Sequence, residues 1–241
     1  MIPPRDRLIV ALDVPTAQAA GNIVRELGDS ASFYKVGLQL FAAEGPAIVR
    51  ELTASGRKVF LDLKLHDIPN TVSSAVKSMT SFGIDLLTIH ASGGLRMMKA
   101  AVEAAASAPK RPSILAATVL TSFTEQELAS TGISDGVAGQ VSRLAALATE
   151  AGCDGVVASP LELAMLRQQL GEEPIILVPG VRPKGSPAGD QARTAEPAEA
   201  IEAGATYLVV GRPITAAANK KEAAEAIQKE ISSALRRATV V

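Results

Sequence analysis

Eight short, β-branched apolar runs recur along the chain: Leu8 to Val14, Phe33 to Leu38, Val59 to Leu65, Leu86 to Ala91, Ile114 to Leu120, Gly155 to Ser159, Ile175 to Val181 and Tyr207 to Val210. Strands that are apolar on both faces must be buried on both, which a parallel sheet covered by helices achieves. Between the runs lie segments with helical spacing and start signals. In Ser159-Pro160-Leu161-Glu162 the serine can cap, proline suits the first helical position and glutamate completes a capping box. Such alternation implies parallel pairing through right-handed crossovers. Eight units without a composition break or linker predict an α/β fold, a single (β/α)8 TIM barrel over residues 1–241, closed by a last helix from Asn219 to Arg237. The alternative is an open doubly wound sheet, but Gly-x-Gly-x-x-Gly does not follow the first strand.

Charge and composition exclude several classes of function. The chain carries 24 Lys plus Arg against 25 Asp plus Glu, a formal charge of −1, so it presents no net field for nucleic acid or an anionic membrane. Aromatic residues make up 3% and tryptophan is absent, which leaves few rings on which bases could stack. The one cysteine, Cys153, has no intrachain partner, and no Cys/His cluster offers zinc ligands. No segment approaches about 18 uninterrupted apolar residues, and no apolar run follows the charges of the N-terminus. These features predict a soluble, cytoplasmic protein in a reducing compartment.

Charged residues are rare inside barrel strands because burying an unpaired ion is costly, yet here they gather at the carboxyl ends of the first three strands. Those ends build the catalytic face of this fold. Asp13 ends the first run, Lys35 lies in the second, and the third carries Asp62-Leu63-Lys64-Leu65-His66-Asp67. Alternation puts Asp62 and Lys64 toward the barrel axis and Leu61, Leu63 and Leu65 toward the helices. By the same alternation His90 points inward, as a supporting residue. Lys64 between Asp62 and Asp67 is expected to be held as an ammonium, and so as a proton donor. A Schiff-base aldolase, which needs a neutral amine, fits poorly, and the sixth strand offers no other lysine. Asp13, Asp62, Asp67 and His90 could ligate a divalent metal, but the interleaved Lys35 and Lys64 would repel it, so no metal is expected.

Across the barrel mouth the chemistry changes. The runs ending Val178-Pro179-Gly180-Val181-Arg182 and Val210-Gly211-Arg212-Pro213-Ile214-Thr215 stand where barrels often hold phosphate. Glycines let backbone amides approach the oxygens, and arginine adds fixed donors. The long Gly- and Pro-rich connection from Pro183 to Gln191 reads as a lid. Together the two sides predict a phosphorylated substrate whose reactive end meets Lys64 and the carboxylates.

The motifs Asp62-Leu63-Lys64-Leu65-His66-Asp67-Ile68-Pro69-Asn70-Thr71, Lys35-Val36-Gly37, His90-Ala91-Ser92-Gly93-Gly94, Leu120-Thr121-Ser122, Pro179-Gly180-Val181-Arg182-Pro183 and Gly211-Arg212-Pro213-Ile214-Thr215 closely resemble those of the orotidine 5′-phosphate decarboxylase family. The resemblance runs in order from Asp13 to Thr215. Its short Asp-x-Lys-x-x-Asp pattern is shared with sugar-phosphate decarboxylases and hexulose-phosphate synthases; the extension through Thr71 and the two glycine-arginine motifs add specificity. The resemblance implies conversion of orotidine 5′-phosphate to UMP and CO2 without cofactor or metal, the last step of de novo UMP synthesis. It also implies that Lys64 protonates C6, that Asp62 faces the departing carboxylate, and that Lys35 and Asp13 hold ribose hydroxyls. Asp67, Ile68 and Thr71 are implied to reach a neighbouring subunit's site, making a homodimer with shared sites. Thr121 with Ser122 would contact the base, while Gln191, Arg212, the Gly211 amide and Arg182 surround the phosphate.

Two rivals remain at this level: a magnesium-dependent decarboxylase or aldolase acting on an acyclic sugar phosphate, and a catalytically silent barrel that binds a nucleotide as a regulator. The second would be marked by a broken set of four charges, and here Asp13, Lys35, Asp62 and Lys64 are all present.

Overall fold

A computed structural model describes residues 2–183 and 193–238. Its strands are β1 (Leu8–Ala11), β2 (Phe33–Gly37), β3 (Lys58–Leu65), β4 (Leu86–His90), β5 (Ser113–Ala117), β6 (Gly155–Val157), β7 (Ile175–Val178) and β8 (Tyr207–Val210). They follow one another in chain order around a closed barrel, every pair is parallel, and β8 returns to β1. The sequence-based expectation of an eight-stranded α/β barrel is thus met, and each strand leads into a helix or pair of helices.

The side-chain period of two sorts the apolar residues into two cores. Ile9, Ala11, Phe33, Phe60, Leu86, Leu115, Ala117, Val157, Leu177 and Val209 fill the barrel. Their neighbours Leu8, Val10, Tyr34, Val36, Leu61, Leu87 and Ile89 face outward and pack with the helices. Closure of β6 against β7 requires a glycine: a Cβ at Gly155 would lie 1.9 Å from the Ile175 carbonyl oxygen. The capping box of Ser159 and Glu162 forms as expected, although its first turn is a 3-10 turn, Pro160–Glu162, that runs into the helix Leu163–Leu170. The last helix is Lys220–Ala238, and the Asn219 side chain accepts the Glu222 amide at 3.1 Å.

Several strands end earlier than their apolar runs. β1 stops at Ala11 and not Val14, β5 at Ala117 and not Leu120, and β7 at Val178 and not Val181. Residues beyond these ends remain buried, including Leu12, Val119 and Val181, so hydrophobicity continues after the ladder has opened. The chain there turns across the mouth and still covers the core, carrying Asp13, Thr121 and Arg182 on loops. Apart from Pro183, the segment expected to form a lid lies outside the described residues.

No helix among the described residues is long and apolar enough to cross a membrane.

Candidate active site

The mouth at the carboxyl ends of the strands opens into a cavity of about 470 Å³. One wall carries a chain of alternating charges. The Lys35 ammonium donates to Asp13 Oδ1 at 2.7 Å and stands 3.8 Å from Asp62 Oδ2; the Lys64 ammonium donates to Asp62 Oδ1 at 2.8 Å. Asp62 is thus shared by two cations from adjacent strands. Gly37 makes room for this pairing, because a Cβ there would lie 2.8 Å from the Lys35 nitrogen and 3.1 Å from Asp13 Oδ1.

Burial pushes the Asp62 carboxyl up, but the Lys64 and Lys35 ammoniums and hydrogen bonds from Lys64 and Thr88 outweigh it, holding the group below the ordinary carboxylate range. Asp62 is therefore an anion at neutral pH. The contact with Thr88 escaped the sequence reading: its hydroxyl donates to Asp62 Oδ1 at 2.9 Å and accepts the Lys64 amide at 3.0 Å. A buried threonine at the inward parity of an otherwise apolar strand, two residues before His90, was the available signal.

Lys64 reaches this position through an unusual backbone. Its φ is +49°, in the left-handed region, the one such non-glycine among the described residues. The β3–β4 register breaks at the same place, with Leu61 opposite Leu87 but Leu65 opposite Ile89. Two extra residues on β3 preserve parity, so Leu63 and Leu65 pack on the outer core as alternation predicts.

Asp67 requires a correction. Among the described residues it makes no ion pair with Lys64; its carboxylate accepts the Ile68 amide at 2.7 Å where the chain turns into the helix Pro69–Thr80. Asp67, Ile68 and Thr71 are exposed and lie outside the cavity lining, Ile68 at 66% exposure. Among the described residues Asp62 alone accepts from the Lys64 ammonium.

The opposite walls bring together the other predicted residues. Thr121 and Ser122 line the cavity from the loop after β5, and Arg182, Gly211 and Arg212 line it after β7 and β8, with Pro179, Gly180 and Thr215 beside them. Val181 bridges Ala195, and the Arg182 amide donates to the Ala195 carbonyl at 3.0 Å, which ties the chain on either side of residues 184–192 together. Gln191 lies outside the described residues. His90 stands next to the cavity without lining it; its ring stacks on His66 with centroids 5.3 Å apart, and its Nδ1 is 2.7 Å from the Ser92 hydroxyl. Burial, with the neighbouring His66 and Lys64, pushes the His90 imidazole down, which favours the neutral ring.

Among the described residues no three of His, Cys, Asp and Glu gather as a metal-binding group. Cys153 does not line the cavity, and burial pushes its thiol up to about 12, which disfavours the thiolate. The arrangement can do two things chemically: present a fixed ammonium, backed by carboxylates, to a reacting carbon, and hold an anionic group with Arg182 and Arg212 across the same cavity.

Known proteins share the barrel and much of the sequence. An orotidine 5′-phosphate decarboxylase of Moorella thermoacetica is 50% identical over 233 residues, covering 94% of this chain and 92% of that protein. One of Rhodopseudomonas palustris is 51% identical over 233 residues, covering 97% of each. The crystal structure of orotidine 5′-phosphate decarboxylase from Lactobacillus acidophilus superposes with a TM-score of 0.85 at 40% identity, over 93% of this chain and 98% of that one. The family profile described as orotidine 5′-phosphate decarboxylase / HUMPS matches residues 6–227. With that match running from before β1 into the last helix, and half of the residues identical to those of the relatives along nearly the whole length, the chain belongs to the orotidine 5′-phosphate decarboxylase / HUMPS family.

Proposed function

We propose that this chain, acting as one barrel domain, is a carboxy-lyase that converts orotidine 5′-phosphate to UMP and CO2 and needs neither cofactor nor metal. The observation that carries this reading is the Asp13–Lys35–Asp62–Lys64 chain facing Arg182, Gly211 and Arg212 across one cavity. That layout matches a substrate with a phosphate at one end and a reacting carbon at the other, and the half-identical relatives bear the decarboxylase name.

The chemical step breaks the bond between C6 and the carboxylate, leaving the electron pair on C6 and releasing CO2. Lys64 Nζ gives its proton to C6 and recovers one from solvent, so orotidine 5′-phosphate plus one proton yields UMP plus CO2. The pyrimidine has no adjacent carbonyl able to take up the charge, and a preorganised ammonium in a water-poor site stabilises the developing carbanion without reorganising. Asp62 faces the departing carboxylate and fixes the Lys64 nitrogen. Lys35 and Asp13 hold ribose hydroxyls, and Thr121 with Ser122 contacts the base. Arg182, Gln191, Arg212 and the Gly211 amide bind the phosphate, whose contacts lie far from the reacting carbon and position it.

We further propose a homodimer in which Asp67, Ile68 and Thr71 enter the second subunit's site. Support comes from an apolar Ile68 left two-thirds exposed at the mouth and from an Asp67 carboxylate that pairs with no cation among the described residues. The net charge of −1 and the lone, half-buried cysteine support a cytoplasmic enzyme acting on a small nucleotide, with no nucleic-acid or membrane partner.

The deciding experiment follows ultraviolet-monitored loss of orotidine 5′-phosphate, with the product identified as UMP, in excess EDTA. Rapid metal-independent conversion is expected. Folded protein that leaves this substrate untouched but acts on an acyclic sugar phosphate once magnesium is restored would overturn the proposal and make Asp62 a metal ligand.

A further inference from the structure

Just beyond the cavity, one ion pair holds the wall formed by the loop after β5. The side chains of Arg193 and Glu162 are only 11% and 6% exposed, and they form a close ion pair. The Glu162 carboxylate is itself fixed, accepting the Ser159 amide at 2.8 Å within the capping box that follows β6. Burial pushes the Glu162 carboxyl up, and the Arg193 guanidinium and bonds from Ser159 oppose the shift.

The rest of the guanidinium points at the cavity wall. Arg193 donates to the Leu120 carbonyl at 3.1 Å and to the Thr121 carbonyl at 3.4 Å. The Leu120 carbonyl also accepts the Phe123 amide at 2.9 Å, which closes a turn whose two central residues are Thr121 and Ser122. Both central residues line the cavity, whereas Arg193 and Glu162 do not. The turn lies beyond the end of β5 at Ala117.

We infer that Arg193, braced by Glu162, is a positioning residue that sets the Thr121–Ser122 turn against the base of the substrate. A guanidinium suits the task because its planar fork donates in fixed, well-separated directions to a carboxylate and two carbonyls, whereas a lysine offers only one compact, rotatable ammonium. The loop after β5, which lines the cavity, and the capping box after β6, which does not, are thereby coupled by a side chain from the segment entering the helix Pro197–Glu202. The role in turnover rests on the proposed decarboxylase reading; the effect on the turn does not.

Removing Arg193 alone strands a buried carboxylate, so the test variant is Glu162→Gln/Arg193→Ala, which keeps an acceptor for the Ser159 amide. Hydrogen exchange should accelerate in the 120–123 amides, with strands β3 and β4 unchanged. The KM for orotidine 5′-phosphate should rise about tenfold, as expected for lost charge-assisted hydrogen bonds, with kcat falling less. Arg193→Lys should lie between variant and wild type. In a Thr121→Ala/Ser122→Ala background the same pair of changes should cost less than about twofold, because the residues through which Arg193 acts are gone. Unchanged exchange in the turn, or the same factor in KM with and without Thr121 and Ser122, would overturn the inference. Wild-type protein inert toward orotidine 5′-phosphate would instead sink the decarboxylase reading, while exchange in the turn still decides the positioning role.

Discussion

Lys64 concentrates the chemistry and the strain of this molecule in one residue. A non-glycine residue in the left-handed region costs roughly 1–2 kcal/mol, and such outliers persist where surrounding contacts over-determine them. Here the over-determination is visible: the Lys64 amide is held by Thr88 and its ammonium by Asp62, which Thr88 also grips. The side chain is therefore fixed at both ends before any substrate arrives. Lys64→Ala should retain nucleotide binding, measured by calorimetry with UMP, while turnover falls by at least the roughly 10²–10⁴-fold assigned to a positioned proton donor; near-normal turnover would remove that role. Arg212→Ala should instead act mainly on KM, raising it by about tenfold or more through a lost charge-assisted contact to phosphate. An unchanged KM would take Arg212 out of the phosphate site.

At the scale of the element, alternation placed the strand residues on the correct faces even where the local geometry was irregular. Leu61, Leu63 and Leu65 all pack on the outer core although the β3–β4 register breaks among them, because the extra length is two residues and parity survives. Strand ends were less legible: Leu12, Val119 and Val181 are buried after their ladders stop, so nothing in their hydrophobicity marks the exit. Gly155 shows the opposite case, a residue whose necessity only packing reveals. Gly155→Ala drives a methyl into the Ile175 carbonyl across the β6–β7 pair and should destabilise the protein by about 1–3 kcal/mol. Urea denaturation would read this as a lowered midpoint; a wild-type midpoint would mean that the two strands separate freely.

At the scale of the whole molecule, the exposed Asp67, Ile68 and Thr71 turn a question about one chain into one about two. If sites are shared, a Lys64→Ala chain and an Asp67→Ala chain damage opposite halves of the same site. A hybrid dimer then carries one site with both lesions and one with neither, so an equimolar mixture after complete subunit exchange should regain about a quarter of wild-type activity. No recovery, with exchange proven by mass labels, would show that each chain completes its own site.

What the sequence determined by itself was the alternation: eight apolar runs separated by helices can bury both faces of every strand only in a covered parallel sheet, and the charged ends of the first three runs then share one mouth. Those are consequences of period and order, which a sequence carries explicitly. Only the tertiary structure decided that Thr88 binds Asp62, that Asp67 turns away from Lys64 within its own chain, and that Arg193, paired with Glu162 31 residues away, reaches the carbonyls of Leu120 and Thr121 73 and 72 residues away along the chain. Each of these depends on the closure of the barrel, which sets distances between residues on different strands and loops. A local pattern fixes the direction of a side chain along its own element, whereas its partner is fixed by how the elements close.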